Sequence, residues 1–547
     1  MSRIRSGMPR RGYGRAVVLV LVGLLLSGTG CDEDDDLRAT PNPISTPTNM
    51  ATRAHTATPT ETAVPTVTAT STSTPSAARG TGVANPLVEG PVTGGTGVPF
   101  IASTTFDLAQ VGYSEEEYFI SGTATAYGNA GSAPFAADGK WNVSTGDRAA
   151  FRTRMLVYRP ISANNFNGTV LMEWLNVSGG LDSAPDWLLG HTELIRAGFA
   201  WVGVSAQYVG VEGGSSVLGM PVTPLKTTDP ARYGSLVHPG DSFSYDIFSQ
   251  AAQAIRRPVG ANPLGDLEVG AVIAAGESQS AFRLVTYINA VHPVADIFDG
   301  FLVHSRGGGA LSIAPLSERP QTAVRVPGAA QIRSDLNVPV LTLETETDLT
   351  FLAYYSARQP DSERFRLWEV AGTAHADAYM LTVGPTDLGN SPEAAQLVVT
   401  STPLPGFTCG LPINSGPQHF IVNAALAALN EWVRHGTPPP QAPRLEVVPP
   451  HIVRDANGNA LGGIRTAMVD VPIAALSGEG QSGSIFCLLF GTTRPFDAAK
   501  LAELYPDHGG YVAAVNSATD QAVSAGFILL PDAQLIKAAA VASDVGG

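Results

Sequence analysis

The stretch LEVGAVIAAGESQS, residues 267–280, decides the fold, because an apolar strand runs directly into a tight turn around one serine. Its uninterrupted apolar run is typical of a parallel strand that is buried on both faces. Gly276 and Ser280 are small enough for a sharp turn around Ser278, and residues 281–291 are predicted to form a helix. Strand, serine turn and helix together are typical of a nucleophile elbow, which exposes the hydroxyl beside free helical N–H groups. The pattern therefore predicts acyl transfer at Ser278.

Two later strand ends carry the residue types that such a serine needs. An apolar run at 337–343 ends in an acidic cluster, and a loop after the strand-like run 365–370 carries His375. Serine, acid and histidine, each at the end of its own strand, follow the chain order of an α/β-hydrolase triad. In such a triad His375 would take the proton of Ser278 and later return it to the leaving group, while the acid holds the imidazole tautomer.

The acidic cluster offers two candidates for the third member of the triad. Asp348 is favoured, because it lies five residues beyond Leu343 in a predicted loop that is long enough to reach His375. Glu346 is the alternative, since it lies in the same loop and carries the same functional group.

The oxyanion that forms during acyl transfer needs two backbone N–H donors. The first is predicted at Gln279, directly after the nucleophile. The second is expected in the small-residue loop LNVSGG (175–180), where the candidates are Asn176, Val177 and Ser178.

Strand-like and helix-like runs alternate along most of the chain. Strands are predicted near 169–174, 199–205, 268–275, 297–303, 338–343 and 365–370, after antiparallel segments at 118–127 and 151–160. This alternation predicts an α/β fold with a mainly parallel sheet and helices on both faces.

The catalytic domain is expected at 81–436 and is closed by a helix at 417–435. A C-terminal extension at 437–547 is expected to pack on this domain. Either this extension or the segment 305–336 could cover the site.

Several motifs carry a resemblance to a known family. They are EWLNVSGG and APDW within 173–187, GESQSA (276–281), TETDL (345–349), GTAHAD (372–377), NSGPQHF (414–420), LNEWVRHGTPPP (429–440) and LFGTTRPFDAAKL (489–501). Over roughly residues 83–540 the chain resembles the bacterial α/β-hydrolase-domain family of secreted, poorly characterised serine hydrolases. The resemblance implies an α/β-hydrolase fold with a serine, acid and histidine site. Ser280 stands where the GxSxG pattern has its second glycine, and serine is small enough for that turn.

Composition excludes several classes of function. Hydrophobic residues make up 44% and charged residues 15% of the 547, which is typical of a globular protein with a large core. The net charge of -15 argues against binding nucleic acid, because phosphates are neutralised by basic surfaces. The sequence has no dinucleotide fingerprint, phosphate loop or zincin motif, so neither a cofactor nor a metal is predicted.

The amino terminus reads as a targeting segment. Residues 1–30 combine five arginines, an apolar run at 16–26 and the small-residue string SGTG before Cys31, which resembles a bacterial lipoprotein signal peptide. Lipidation of Cys31 would anchor the protein in the bacterial cell envelope; simple secretion and an uncleaved anchor are the alternatives. Residues 31–80, rich in Thr, Pro and Ser, are predicted to form a disordered linker.

Two other cysteines, Cys409 and Cys487, are a candidate disulfide in an oxidising compartment.

The sequence as a whole predicts a serine hydrolase that cleaves a small-molecule or lipid-like carboxylic ester through an acyl-enzyme. The alternatives are an acyltransferase or peptidase on the same fold, or a non-catalytic, surface-anchored binding protein with a hydrolase-like core.

Overall fold

The apolar runs of the sequence form the strands of one large sheet. The structure is a computed structural model that describes residues 79–80, 82–216, 221–310, 326–404 and 407–547. The predicted signal peptide, Cys31 and the predicted linker up to residue 78 lie outside the described residues. Residues 311–325, within the segment that was considered as a cover of the site, lie outside them as well.

The sheet has ten strands among the described residues. In chain order they are β1 (Leu87–Glu89), β2 (Tyr113–Asn129), β3 (Val143–Pro160), β4 (Thr169–Trp174), β5 (Ala200–Val204), β6 (Val259–Gly260), β7 (Ala271–Glu277), β8 (Gly300–His304), β9 (Val340–Glu344) and β10 (Phe365–Glu369). Their spatial order is β10-β9-β8-β7-β4-β5-β3-β2-β1-β6. The six strands from β10 to β5 are parallel, and β3 and β2 continue the sheet antiparallel. The predicted mainly parallel sheet with an antiparallel start is therefore confirmed.

Helices occupy most of the connections. They are α1 (Pro185–Arg196), α2 (Tyr208–Glu212), α3 (Leu225–Thr228), α4 (Pro230–Tyr233), α5 (Ser244–Arg256), α6 (Gln279–Thr286), α7 (His292–Ala295), α8 (Glu346–Thr350), α9 (Gln418–His435), α10 (Ala467–Asp470), α11 (Ile485–Leu489), α12 (Ala498–Leu504), α13 (His508–Ser524) and α14 (Leu530–Ala542). The helix predicted at 281–291 begins earlier and has two parts, because a π-helical segment, Tyr287–Val291, follows α6. Among the described residues, no helix is both long and apolar enough to cross a bilayer.

The two faces of the sheet are covered by different helices. Leu171 on β4 belongs to a core with residues of α1 and α9, whereas its neighbours Val170 and Met172 belong to a core with residues of α5 and α6. Successive side chains of a strand point to opposite faces, so a strand between two helical layers is apolar at every position. This burial explains why the strands of the sequence are continuous apolar runs.

The C-terminal extension continues the same packing beyond the edge strand β10. Ile464 exchanges backbone hydrogen bonds with this edge, accepting from Ala371 N–H and donating to the Glu369 carbonyl. Phe527 packs its ring against Trp368 with centroids 5.1 Å apart. The extension also forms two small strand pairs, β11 (Val447–Val448) with β12 (His451–Ile452) and β13 (Ala474–Ser477) with β14 (Thr492–Pro495).

Candidate active site

Ser278 lies in the turn between β7 and α6, in a backbone conformation that few side-chain-bearing residues adopt. Its φ of 57° and ψ of -121° are strained for a residue with a Cβ atom. Gly276 permits the turn, because a Cβ atom there would lie 3.0 Å from the backbone carbon of Ser280. The strand ends at Glu277, two residues later than predicted, so the turn begins directly at Ser278. This geometry is that of a nucleophile elbow.

The three residues predicted for a triad lie within hydrogen-bond distance of one another. His375 Nε2 is 2.8 Å from Ser278 Oγ, and His375 Nδ1 is 2.5 Å from Asp348 Oδ1. All three side chains are fully buried. The carboxyl ends of β7, β9 and β10 meet at one edge of the sheet, which brings together residues up to 97 positions apart in sequence.

Asp348 is held by its own helix terminus. It was predicted to lie in a loop, but it lies in the first turn of α8, where Thr345 is the N-cap and Asp348 completes a capping box. Asp348 Oδ2 accepts hydrogen bonds from both the N–H and the hydroxyl of Thr345, each at 2.7 Å. A capping box fixes the side chain reciprocally. The second oxygen, Oδ1, is therefore left to face His375.

Glu346, the alternative acid, does not contact His375. Its carboxylate accepts hydrogen bonds from Gly372 N–H at 2.7 Å and Gly478 N–H at 2.9 Å, and pairs with Arg454 at 2.9 Å. Glu346 thus joins α8 to the loop that carries His375 and to the C-terminal extension. The structure corrects this candidate from an orienting acid to a buried structural carboxylate.

Hydrogen bonds within the loop after β4 involve the N–H groups of two of the three residues predicted there as oxyanion donors. Asn176 N–H donates to the Ser183 carbonyl at 3.0 Å, and Ser178 N–H donates to Asn176 Oδ1 at 2.8 Å. These two predicted donors are wrong, because their N–H groups are occupied within the loop. Val177 N–H, by contrast, donates no hydrogen bond to any of the described residues. Gln279 is the first residue of α6, where an N–H has no partner within the helix.

Two residues that the sequence analysis did not single out contribute to the site. Gln207 forms a reciprocal pair of amide hydrogen bonds with the side chain of Gln279, which fixes the residue after the nucleophile. Glu277 places Oε1 3.4 Å from His375 Nε2. Burial is the main cause that raises the pKa of the Glu277 carboxyl well above its usual value, and Asp186 adds to it. One sequence feature could have singled out Glu277: it is a charged residue at the end of a strand that is buried along its whole length.

Within the described ranges, no three His, Cys, Asp or Glu side chains are grouped so that they could hold a metal ion. Cys409 and Cys487, predicted as a pair, are joined by a disulfide across 78 positions of the sequence.

The fold and the serine elbow together define an α/β-hydrolase architecture. The sequence model of the alpha/beta hydrolase domain family matches residues 88–538, and the chain belongs to this family. No curated protein matches the chain.

The chain is similar to several solved structures of hydrolases, at low identity. A putative dienelactone hydrolase from Klebsiella pneumoniae is 14% identical, with 46% of this chain and 85% of that chain covered and a TM-score of 0.22. Esterase Est22 is 15% identical, covering 50% and 76%, with a TM-score of 0.26. A glucuronoyl esterase from Solibacter usitatus is 10% identical, covering 47% and 76%, with a TM-score of 0.24.

Proposed function

We propose that this protein is a serine hydrolase that cleaves a carboxylic ester through an acyl-enzyme intermediate. The observation that carries the proposal is the hydrogen-bonded series Ser278, His375 and Asp348, formed at a nucleophile elbow. Membership of the alpha/beta hydrolase domain family supports the same class of reaction. The proposed substrate is a small-molecule or lipid-like ester.

Each member of the series has a chemical task. Ser278 Oγ attacks the ester carbonyl while His375 Nε2 takes its proton, and Asp348 keeps the imidazole oriented with Nδ1–H toward the carboxylate. His375 then gives the proton to the departing alkoxide, and a water molecule repeats the sequence to release the acid. The distances of 2.8 Å and 2.5 Å support direct proton transfer and direct orientation, with no bridging water needed.

The negative charge that develops on the carbonyl oxygen requires two donors. We assign these to the N–H groups of Gln279 and Val177, because Asn176 and Ser178 donate elsewhere. The dipole of α6 adds to the stabilisation, since its amino terminus begins directly after Ser278.

The proposed location follows from the amino-terminal segment. Export through the signal peptide, with lipidation of Cys31, would keep the enzyme in the bacterial cell envelope, or release it if Cys31 is not modified. Mass spectrometry of the mature amino terminus tests this proposal: a diacylated Cys31 supports the anchor, and an unmodified terminus contradicts it.

The activity is tested by labelling the protein with a fluorophosphonate, which reacts with activated serines, and by hydrolysis of nitrophenyl esters. Ser278→Ala and His375→Ala should each abolish labelling and lower kcat by about 10⁴-fold or more. Ser280→Ala is the matched control on the same turn and should keep both activities. A folded wild-type protein that neither labels nor hydrolyses any ester would support a binding protein instead.

A further inference from the structure

We propose that Glu277 belongs to the catalytic machinery as a second carboxyl partner of His375, on the Nε2 side of the ring. In this role its Oε1 atom accepts a hydrogen bond from Nε2–H once Ser278 has given up its proton. The inference rests on the proposed hydrolase function and adds a residue that a Ser, His and Asp triad does not include.

The position of Glu277 leaves one carboxyl oxygen free to face the histidine. Glu277 is the last residue of β7 and is fully buried. Asn176 Nδ2 donates to its backbone carbonyl at 3.2 Å and lies 3.5 Å from Oε2. Oε1 has no hydrogen-bond partner among the described residues, and it lies 3.4 Å from His375 Nε2. A buried carboxyl oxygen without a partner costs stability, so its retention here calls for an explanation.

The groups around Glu277 favour its protonated form. Burial, followed by the carboxylates of Asp186, Asp348 and Glu173, raises the pKa of Glu277 well above its usual value. These neighbours come from three elements, α1, α8 and β4.

Two histidines complete the surroundings of Glu277. His304 lies opposite Glu277 in the sheet, but its Nδ1 pairs with Asp186 at 2.8 Å, and its Nε2 faces the side-chain amide of Gln418. His375 is therefore the basic group whose contact with the Glu277 carboxyl is direct. The raised pKa favours the protonated, neutral form of this carboxyl group.

A neutral acceptor suits the step that follows nucleophilic attack. As the bond from Ser278 Oγ to the carbonyl carbon forms, the Oγ proton moves to His375 Nε2, and the ring becomes a cation. Nε2–H then has two neighbours, the departing oxygen and Glu277 Oε1. Glu277 keeps its own proton and accepts the hydrogen bond through its carbonyl oxygen, until Nε2 gives its proton to the leaving group.

This interaction exists only after proton transfer, so it should act on kcat more than on KM. Hydrogen bonds to charged groups are the stronger ones, and catalytic contacts that are long in the free enzyme shorten during the reaction. The 3.4 Å separation in the free protein is consistent with such a contact.

The experiment compares Glu277→Gln with Glu277→Met in the full-length protein. Glutamine keeps a neutral oxygen acceptor, whereas methionine has a similar length and no such oxygen. We expect kcat within about threefold of wild type for Gln and a loss of about 10- to 100-fold for Met, with KM within about twofold for both. In the Met variant the acidic limb of the kcat/KM profile should move to lower pH, because the imidazolium has lost an acceptor.

The measurements separate this inference from the proposed function. Fluorophosphonate labelling and ester hydrolysis by the wild type test the function, and only the variants test Glu277. A folded Met variant with wild-type kcat and pH profile overturns the inference, as does a Gln variant that loses as much kcat as Met. If the Met variant does not fold, Glu277→Asp withdraws the carboxyl by one methylene: a fall in kcat supports the contact, and an unchanged kcat overturns it.

Discussion

Asp348 and Glu346 lie two positions apart and carry the same carboxylate, yet only Asp348 reaches His375. The difference comes from α8, in which residues two apart do not point to the same side. Asp348 Oδ2 is fixed by the capping box with Thr345, and Oδ1 is presented to the imidazole. At the scale of the residue, the local helix terminus decides which acid can orient the base.

This assignment predicts different effects for two isosteric substitutions. Asp348→Asn should lower kcat by about 10⁴-fold, because an amide beside Nδ1 favours the wrong tautomer of His375. Glu346→Gln is the matched control, and we expect it to lower kcat by less than about tenfold, since it touches none of the reacting groups. Steady-state hydrolysis of a nitrophenyl ester measures both. Equal losses in the two variants would contradict the assignment of Asp348.

At the scale of the element, the loop after β4 depends on an ion-pair network beneath it. Arg154 on β3 is fully buried and pairs with Asp182 of this loop at 2.5 Å and with Glu117 on β2 at 3.4 Å. Its Nε donates to Ser205 Oγ at 2.9 Å. The loop that carries Val177 is therefore anchored to the antiparallel half of the sheet by buried charges.

Removing the shared cation should destabilise the whole protein. Arg154→Met leaves Asp182 without a cation among the described residues and Glu117 with one fewer. Breaking a buried pair in this way costs about 3–5 kcal/mol. The matched control is Arg159→Met on the same strand, where the pair with Glu116 is partly exposed and worth about 0–1 kcal/mol. Urea denaturation gives both free energies of unfolding. A loss for Arg154→Met no larger than that for Arg159→Met would show that the network does not stabilise the fold.

At the scale of the whole molecule, the C-terminal extension is bound to the sheet and to the site. Arg454 pairs with Glu346, which in turn accepts from Gly372 in the loop that carries His375. The Cys409–Cys487 disulfide adds a covalent link between the segment before α9 and the extension. The extension thus supports both the helix α8, which carries Asp348, and the loop that carries His375.

Loss of the disulfide should weaken this support. Replacing both Cys409 and Cys487 by Ser should lower the free energy of unfolding by about 2–5 kcal/mol, because the unfolded chain gains the freedom of a loop of 78 positions. Thermal unfolding under oxidising conditions measures the difference, and reduced wild-type protein should match the double variant. Identical unfolding temperatures for the oxidised wild type and the double variant would contradict the prediction.

The sequence by itself determined the strands, their mainly parallel arrangement and the order of Ser278, the acid and His375. These features depend on local patterns: continuous apolar runs predict buried strands, and small residues around one serine predict the elbow. For the six parallel strands, the predicted ends differ from the observed ones by at most three residues, as at β7 and β8. The antiparallel strands β2 and β3 begin five and eight residues earlier than predicted.

Only the tertiary structure decided between Asp348 and Glu346, excluded Asn176 and Ser178 as donors, and brought Glu277 to His375. Each of these outcomes depends on a direction in space that spacing along the chain does not specify. The sequence shows that a carboxyl group is present, but the elements that bury this group determine its hydrogen-bond partner and its charge. The physical reason is that hydrogen bonds and desolvation act between atoms a few ångströms apart, whereas the residues that supply those atoms lie up to 132 positions apart, as Glu346 and Gly478 do.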